Sequence, residues 1–246
     1  MPLKNTRRAI RRLIDENNPA DAMAAYYAFY HDDDRTSIIT DPESLDPTNS
    51  TERAKGYVAI SRTGIDLFRP LLTARLPIED LDASSQLLKR ALPSGNEAFI
   101  VCPIQYDPLI RAIFEVKSEQ KLEIYTMPHG LPEPIINIFV TKDSNSETPR
   151  FYINQSVNGQ NIVVSSAGVN WITPKFAEIA VRTWSEYRRR GLAKSVVSAL
   201  TRHLIENGRR PLYAVNETNH PSIELAKSLG YRDSGYRQLM LEIRAR

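Results

Sequence analysis

The chain has 246 residues, of which 41% are hydrophobic, so it can bury a substantial core in one large domain or in two small ones. Its 32 basic and 29 acidic residues nearly balance, which disfavours a protein whose main partner is nucleic acid. A single cysteine, Cys102, excludes an internal disulfide framework, and four scattered histidines predict no metal site. The longest apolar run, residues 22–30, is too short to cross a bilayer, and no secretory signal opens the chain, so a soluble cytoplasmic protein is predicted.

The first half of the chain alternates segments with helical and strand-like patterns of apolar residues. The predicted helices lie at residues 7–14, 20–30, 81–92 and 107–114, and the predicted strands lie at residues 56–62, 65–76, 98–103 and 122–127. The arginines near the start also suit a transit peptide or a nucleic-acid arm, but Asp15 and Glu16 follow at once and favour a solvated amphipathic helix. This alternation of helices and strands is the pattern of an α/β layer.

A boundary between two halves is predicted between Met127 and Arg150, where prolines and a polar loop flank the strand-like residues 135–141. The predicted domains are therefore residues 1–145 and residues 146–246. The N-terminal domain shows no motif that identifies a function.

Three successive antiparallel strands are predicted after this boundary. Residues 151–155 and 161–172 flank Asn158 and Gly159, and an Asn-Gly pair between two β-like runs is the strongest hairpin signal in the chain. A turn that contains a proline then leads into the third strand at residues 176–183.

The segment FAEIAVRTWSEYRRRGLA, residues 176–193, predicts a strand, a turn of three arginines and a glycine, and the start of a helix. Val196, Leu200 and Leu204 follow at the spacing of one face of an amphipathic helix. The first N–H groups of such a helix and the positive end of its dipole point into the turn, where Gly191 lets the backbone approach a ligand closely. The arginines add positive charge, so the turn is predicted to bind an anion.

The rest of the chain predicts a strand, a helix and a final strand. An Asn-Gly pair ends the long helix, and residues 211–215 form a short apolar strand. Asn219 or His220 caps the next helix, and Gly230 lies just past its end. Apolar residues alternate at 239–243, as expected of a closing strand.

From Tyr152 to the C-terminus this order of elements resembles the GNAT superfamily of acyl-CoA-dependent N-acyltransferases. Residues 188–193, RRRGLA, match the Q/R-x-x-G-x-G/A loop with which this family binds pyrophosphate, and residues 219–231 are similar to the family's N-x-x-A/S-x-x-L-x-x-x-x-G-F segment along the pantetheine arm. The resemblance implies an α/β (α+β) fold with a mixed, mostly antiparallel central sheet flanked by helices. It leaves open whether the N-terminal half is a degenerate copy of the same fold.

The resemblance also implies a binding site for acetyl-CoA or another acyl-CoA, in a V-shaped gap between the strands at residues 177–183 and 211–215. The pyrophosphate is expected on the backbone amides of residues 189–194. The residues implied to bind the cofactor are Val181, Thr183, Arg188, Arg189, Arg190, Gly191, Leu192, Ala193, Lys194, Asn219 and Ser222. The arginines could instead form an exposed basic turn, and Asn219 could be a plain helix cap.

Relatives of this kind let an amine attack the thioester directly. The resemblance implies that the Val181 N–H stabilises the oxyanion and that Glu178 removes the proton from the amine, directly or through water. Glu178 could instead form a structural salt bridge or lie exposed on its strand. Ala226 stands where many relatives have a tyrosine that protonates the departing thiolate. The candidate replacements are Tyr231, Tyr213 and Ser222; water could also serve, or the thiolate could leave unaided.

The favoured function is an N-acetyltransferase that moves an acetyl group from acetyl-CoA to a primary amine of a small molecule or a protein, with the N-terminal half shaping the acceptor pocket. The alternative is a non-catalytic acyl-CoA-binding regulatory module, which the alanine at position 226 keeps open. The predicted partners are thus an acyl-CoA and an amine acceptor, without nucleic acid or membrane. Asn170 and Trp171 could line the acceptor pocket, although a lone tryptophan is more often part of the core. The sequence leaves the acceptor, the acyl length and homo-oligomer formation open.

Overall fold

The protein is described here by a computed structural model. The structure describes residues 3–46, 48–49, 51–64, 66–128, 130, 139–157 and 159–246. The chain forms two compact units, one made of Met1–Leu122 with Arg237–Arg246 and the other of Glu123–Tyr236. We call them unit 1 and unit 2.

Unit 1 contains most of the N-terminal half. Its helices are α1 (Leu3–Ile10), α2 (Ala22–Ala25), α3 (Leu81–Ala91) and α4 (Asp107–Ile113), with 3-10 turns at Arg11–Leu13, Asp33–Arg35 and Ile104–Tyr106 and a π-helical turn at Tyr26–Tyr30. Its strands are β1 (Thr36–Asp41), β2 (Gly56–Ser61), β3 (Leu71–Arg75), β4 (Glu97–Pro103) and the first part of β5 (Phe114–Thr126). Strands β1, β2 and β3 pair antiparallel in that order, whereas β3 and β4 pair in parallel.

Helices pack on both faces of the unit 1 strands. Successive side chains of a strand point to opposite faces, so neighbouring residues of one strand contact different helices. Val58 and Leu72 pack with Leu87 of α3 in one core cluster. Tyr57, the neighbour of Val58 on β2, packs instead with Ile10 of α1.

Unit 2 contains the long helix and the strands around it. Its strands are β6 (Thr141–Lys142), β7 (Phe151–Val157), β8 (Gln160–Ile172), β9 (Phe176–Thr183), β10 (Arg210–Asn216) and the first part of β11 (Arg232–Ala245). Its helices are α5 (Leu192–Glu206) and α6 (His220–Ser228), with a 3-10 turn at Ser185–Tyr187. Strands β6 to β9 pair antiparallel in chain order, and β10 pairs with β9 in parallel.

The predicted hairpin and the amphipathic helix are confirmed. Val157 pairs with Gln160 across the β7–β8 turn, and Gly159 has a φ of +78°, a left-handed conformation that glycine adopts without steric cost. Asn158 lies outside the described residues. On α5, Val196 and Leu200 are fully buried in a core cluster that also contains residues of α6.

Two strands of the fold differ from the sequence-based expectation. Strand β1 was not predicted. Strand β5 is 13 residues long although only residues 122–127 were predicted, because most of its first half is exposed and polar and shows no apolar periodicity. The predicted strand at residues 135–141 lies mostly outside the described residues, and in its described part only Thr141 belongs to a strand. The compact units divide near residues 122 and 236, so β5 and β11 each contribute residues to both units, and the domains 1–145 and 146–246 stay a prediction.

The two units contain the same order of elements, namely three antiparallel strands, a helix, a strand, a helix and a strand. Unit 1 follows this order from β1 to the start of β5. Unit 2 follows it from β7 to the start of β11, and the end of β11 belongs to unit 1. The predicted fold class, a mixed and mostly antiparallel sheet with flanking helices, is thus confirmed. Within the described ranges, no helix combines the length and the apolar character needed to span a membrane.

Truncation of Leu200 tests the core of unit 2. Leu200 is fully buried, so we expect Leu200→Ala to lower the free energy of unfolding by about 2–5 kcal/mol through lost burial and a new cavity. Urea unfolding followed by circular dichroism measures this change. The control is Leu81→Ala, because Leu81 is 63% exposed; equal shifts for both variants would contradict the proposed core.

Candidate functional site

The parallel pairing between β9 and β10 ends early. Three residue pairs are formed, and the last joins Leu212 to Glu178. Both strands continue beyond this pair, β9 to Thr183 and β10 to Asn216. The predicted gap therefore lies beside the second half of β9, where backbone groups on that edge of the strand have no ladder partner on β10.

Strand alternation shows which backbone groups of β9 face this gap. The N–H of Trp184 donates to a β8 carbonyl at 3.1 Å, and the N–H of Arg210 donates to the carbonyl of Lys175 at 2.8 Å. Because successive residues direct their backbone groups to opposite edges of a strand, even-numbered residues of β9 face β8 and odd-numbered residues face β10. The N–H and C=O groups of Val181 and Thr183 thus point to the gap side.

The turn that follows β9 has the conformation that an anion loop needs. Gly191 precedes the first residue of α5 with a φ of +77°, and Arg189 also has a positive φ, of 59°. The guanidinium of Arg188 donates to the carbonyl of Thr183 at 3.3 Å, and that of Arg190 lies 5.2 Å from the centre of the Tyr187 ring. The three arginines are exposed, so their charge is available to a ligand.

The first turn of α5 completes this arrangement. Ser195 donates its N–H to the carbonyl of Gly191 at 3.1 Å, which is the first bond of the helix. The N–H groups of Leu192, Ala193 and Lys194 lie before that bond and have no acceptor within the helix. Together with the helix dipole and the arginines they form a site suited to a phosphate group.

Asn219 and Ser222 lie at the start of α6. The Oδ1 atom of Asn219 accepts a hydrogen bond from the N–H of Ser222 at 3.3 Å, so Asn219 is a helix cap. The hydroxyl of Ser222 is 2.9 Å from the hydroxyl of Tyr213, a residue of β10. Contacts of either residue with a cofactor stay a prediction.

The candidate proton donors differ in their position. Ala226 is fully buried and carries no polar group. Tyr231 is buried with its hydroxyl 2.7 Å from that of Thr201, within the core cluster of α5. Tyr213 is as buried as Tyr231 and belongs to the same cluster, but it is the first residue of β10 after the paired segment; burial raises the pKa of its hydroxyl against the opposing hydrogen bond with Ser222. Of the two tyrosines, Tyr213 therefore stands where the gap begins.

Glu178 is buried and takes part in a specific hydrogen-bond cluster. Its carboxylate accepts from the Nδ2 of Asn170 at 2.7 Å and from the Nε1 of Trp171 at 2.6 Å. Burial raises the pKa of the Glu178 carboxyl, and these two hydrogen bonds oppose that rise. Among the described residues its partners are neutral, so the structure shows neither the salt bridge nor the exposed position that the sequence left open. The role of Glu178 as a base stays a prediction.

The sequence did not identify Asn170 and Trp171 as partners of this carboxylate. Trp171 is opposite Glu178 across β8 and β9, and the register shifts between Val169 and Trp171. That irregularity places Asn170 and Trp171 beside one carboxylate, and alternation along β8 alone does not predict it.

In unit 1 the equivalent turn, between β3 and α3, has acidic residues in place of arginines. Asp80 caps α3 by accepting from the N–H of Ala83 at 2.9 Å, and Asp82 adds a second acid to the first helical turn. The N–H of Leu76, at the end of β3, donates to the hydroxyl of Tyr106 at 3.1 Å. The carboxylates repel an anion here, so unit 2 has the turn suited to a phosphate.

The second half of the chain is similar to a family of known proteins. Residues 165–239 match the model of a family described as FR47-like protein. No curated protein matches the chain significantly. This family match, together with solved structures that share the fold, confirms the resemblance to the GNAT superfamily at the level of the fold.

Several solved structures share the fold at low sequence identity. A GCN5-related N-acetyltransferase-like protein from Streptococcus suis is 15% identical with a TM-score of 0.56, over 90% of this chain and 98% of that one. A tandem GNAT protein from the clavulanic acid biosynthesis pathway is 9% identical with a TM-score of 0.56, over 99% of this chain and 94% of that one. A Drosophila protein is 12% identical with a TM-score of 0.63, over 98% of this chain and 88% of that one.

The buried position of Glu178 predicts a pH dependence of stability. A carboxyl whose pKa is raised on folding contributes stability that is fully present below its ordinary value of 4.5 and is lost as the pH rises through the folded value. We therefore expect the wild type to lose stability relative to Glu178→Gln as the pH rises above 4.5. Urea unfolding of both proteins over a series of pH values measures this difference. A difference that is constant with pH would contradict the raised pKa.

Proposed function

We propose that this chain, which has the fold of the GNAT superfamily, transfers an acetyl group from acetyl-CoA, or an acyl group from another acyl-CoA, to a primary amine. The observation that supports it most is the early end of the β9–β10 pairing directly before the Gly191 turn and the start of α5. A strand edge with unpaired backbone groups and a phosphate-binding turn are what an acyl-CoA requires at its two ends.

The residues around the gap fit such a ligand. The amides of the pantetheine arm would pair with the backbone of Val181 and Thr183, because these groups point to the gap. The pyrophosphate would accept from the N–H groups of the first turn of α5, and the arginines at 188–190 would neutralise its charge. Asn219 and Ser222 would contact the arm from the start of α6.

The chemistry that the chain itself would supply is positioning, proton removal and charge stabilisation. Glu178 would accept the proton of the amine, and its raised pKa makes it a stronger base than an exposed carboxylate. The Val181 N–H would donate to the oxyanion as the amine attacks. For the leaving thiolate, Tyr213 is the proton donor that the geometry favours, because it stands where the gap begins.

A second function remains a candidate, namely a non-catalytic acyl-CoA-binding regulatory module. It is favoured by the fully buried Ala226, which cannot donate a proton, and by the two neutral partners that already occupy the Glu178 carboxylate. In this case the acyl-CoA turn would persist without acceptor chemistry.

Cofactor binding is tested by calorimetry with acetyl-CoA. We expect one molecule bound per chain, because unit 1 has acids at the equivalent turn, and we expect Gly191→Leu to abolish binding. A leucine at the φ of +77° costs about 1–2 kcal/mol and blocks the approach of the phosphates. Gly208→Leu is the matched control, because Gly208 has a φ of +73° at the opposite end of the same helix. Absence of binding to the wild type would contradict both proposed functions.

Catalysis is tested by thiol release from acetyl-CoA with a panel of primary amines. We expect Glu178→Gln to lower kcat by about 10²–10⁴-fold, the usual contribution of a general base, while calorimetry shows unchanged acetyl-CoA affinity. If no amine accelerates thiol release in the wild type although acetyl-CoA binds, the regulatory module is the correct function.

A further inference from the structure

Unit 2 contains a surface groove of about 430 Å³ between β8 and the end of β9. Its polar lining consists of Arg150, Ser165, Ser166 and Arg182, and Val163 and Trp184 are among its apolar residues. Among the residues that the structure describes, no carboxylate lines it. Neither the fold nor the acyl-CoA site assigns this groove a role.

The groove lies on the same face of β9 as the Glu178 side chain. Ile179 and Val181 pack with the core cluster of α5, so their neighbours Glu178 and Arg182 point to the opposite face. Ser166 is the cross-strand partner of Arg182, which places its side chain on that face as well. Four residue steps along the strand separate the Glu178 and Arg182 Cα atoms by about 13 Å.

The two arginines are available to a ligand. Both are exposed, and among the described residues neither guanidinium group forms an ion pair or a hydrogen bond. Arg69 and Arg111 of unit 1, by contrast, each pair with two carboxylates. Two guanidinium groups that line one groove without a counter-charge favour an anionic group, which each can bind through two parallel hydrogen bonds.

Trp184 adds an apolar surface beside these charges. Its side chain is 47% exposed, whereas Trp171 is 4% exposed. An exposed tryptophan in a groove can cover the carbon chain of a small ligand while the arginines hold its charged end.

We propose that this groove binds an anionic group of the acceptor, so that the acceptor is a small primary amine that also carries a carboxylate or a phosphate. The inference rests on the proposed function, because Glu178 is the group that would receive the proton of the amine. The phosphates of the acyl-CoA belong to the start of α5, which packs on the other face of β9.

The proposal is tested first by the specificity of acetyl transfer. Thiol release from acetyl-CoA is measured with β-alanine, with O-phosphoethanolamine and with uncharged propylamine. We expect kcat/KM to be at least about tenfold higher for one of the anionic amines, since a hydrogen bond to a charged group is worth about 1.5–3 kcal/mol. The preferred anionic amine identifies whether the group is a carboxylate or a phosphate.

Substitution of the arginines locates this preference. We expect Arg182→Ala and Arg150→Ala each to reduce the preference for the anionic amine over propylamine about tenfold, mainly through KM. Arg232→Ala is the matched control, because Arg232 is an exposed arginine of unit 2 outside the groove. Equal kcat/KM values for the three amines would overturn the proposal, as would arginine variants that weaken acetyl-CoA binding and leave the preference intact.

Fluorescence gives a reading that does not depend on catalysis. The chain has two tryptophans, so ligand binding beside Trp184 changes the emission of the wild type, and Trp184→Phe removes that change. We expect titration with the preferred anionic amine to change the emission with an affinity that Arg182→Ala lowers. If this change occurs but no amine is acetylated, the groove stands as an anion site and the acyltransferase function fails. If neither anionic amine changes the emission, the groove proposal fails even where acetyl transfer is observed.

Discussion

The early end of the parallel pairing between β9 and β10 is the constraint on which the functional part of unit 2 depends. The strands are held together by three residue pairs, and each then continues without the other. Unpaired backbone groups within a fold require a partner, so this edge of β9 is suited to a ligand with amide groups of its own. The turn after β9 and the start of α5 lie at the same end of the strand. A free strand edge and a turn suited to a phosphate thus lie side by side where the sheet pairing ends.

Because its side chains alternate between two faces, strand β9 contacts the core, the gap and the opposite face at the same time. The side chains of Ile179 and Val181 pack with the core of α5, and the backbone of Val181 and Thr183 faces the gap. The side chains of Glu178 and Arg182 point to the other face, one into a buried hydrogen-bond cluster and the other into an open groove. A single extended segment can therefore separate the proposed cofactor from the proposed acceptor while contacting both.

The two units show how one order of elements can carry turns of opposite charge. In unit 2 the turn has a glycine with positive φ and three exposed arginines. In unit 1 the corresponding turn has Asp80, which accepts from the N–H of Ala83 in the helix itself, and Asp82, a second acid in the first helical turn. One backbone donor that a phosphate would use is thereby occupied by the chain, and the acids repel an anion. The fold alone does not decide the chemistry; the side chains at one turn do.

Local patterns in the sequence were sufficient for the features that depend on neighbours within a few residues. The hairpin around Gly159, the buried face of α5 with Val196 and Leu200, the Gly191 turn and the Asn219 cap each follow from the periodicity or turn preference of a short segment. The resemblance to the GNAT superfamily rested on two such segments, and the fold confirms it.

Only the tertiary structure decided which side chains meet across strands. Strand β1 and the polar first half of β5 have weak local signals and exist because other strands pair with them or flank them. The contact of Asn170 and Trp171 with Glu178 depends on a register shift within β8, and the groove shared by Arg150 and Arg182 depends on how β7, β8 and β9 align. Register is set by pairing between distant segments and by the burial of one face. A shift of the pairing by one residue would turn every side chain of the strand to the other face. For that reason the sequence by itself predicted the anion turn, whereas the environment of the proposed base and the groove beside it came from the fold.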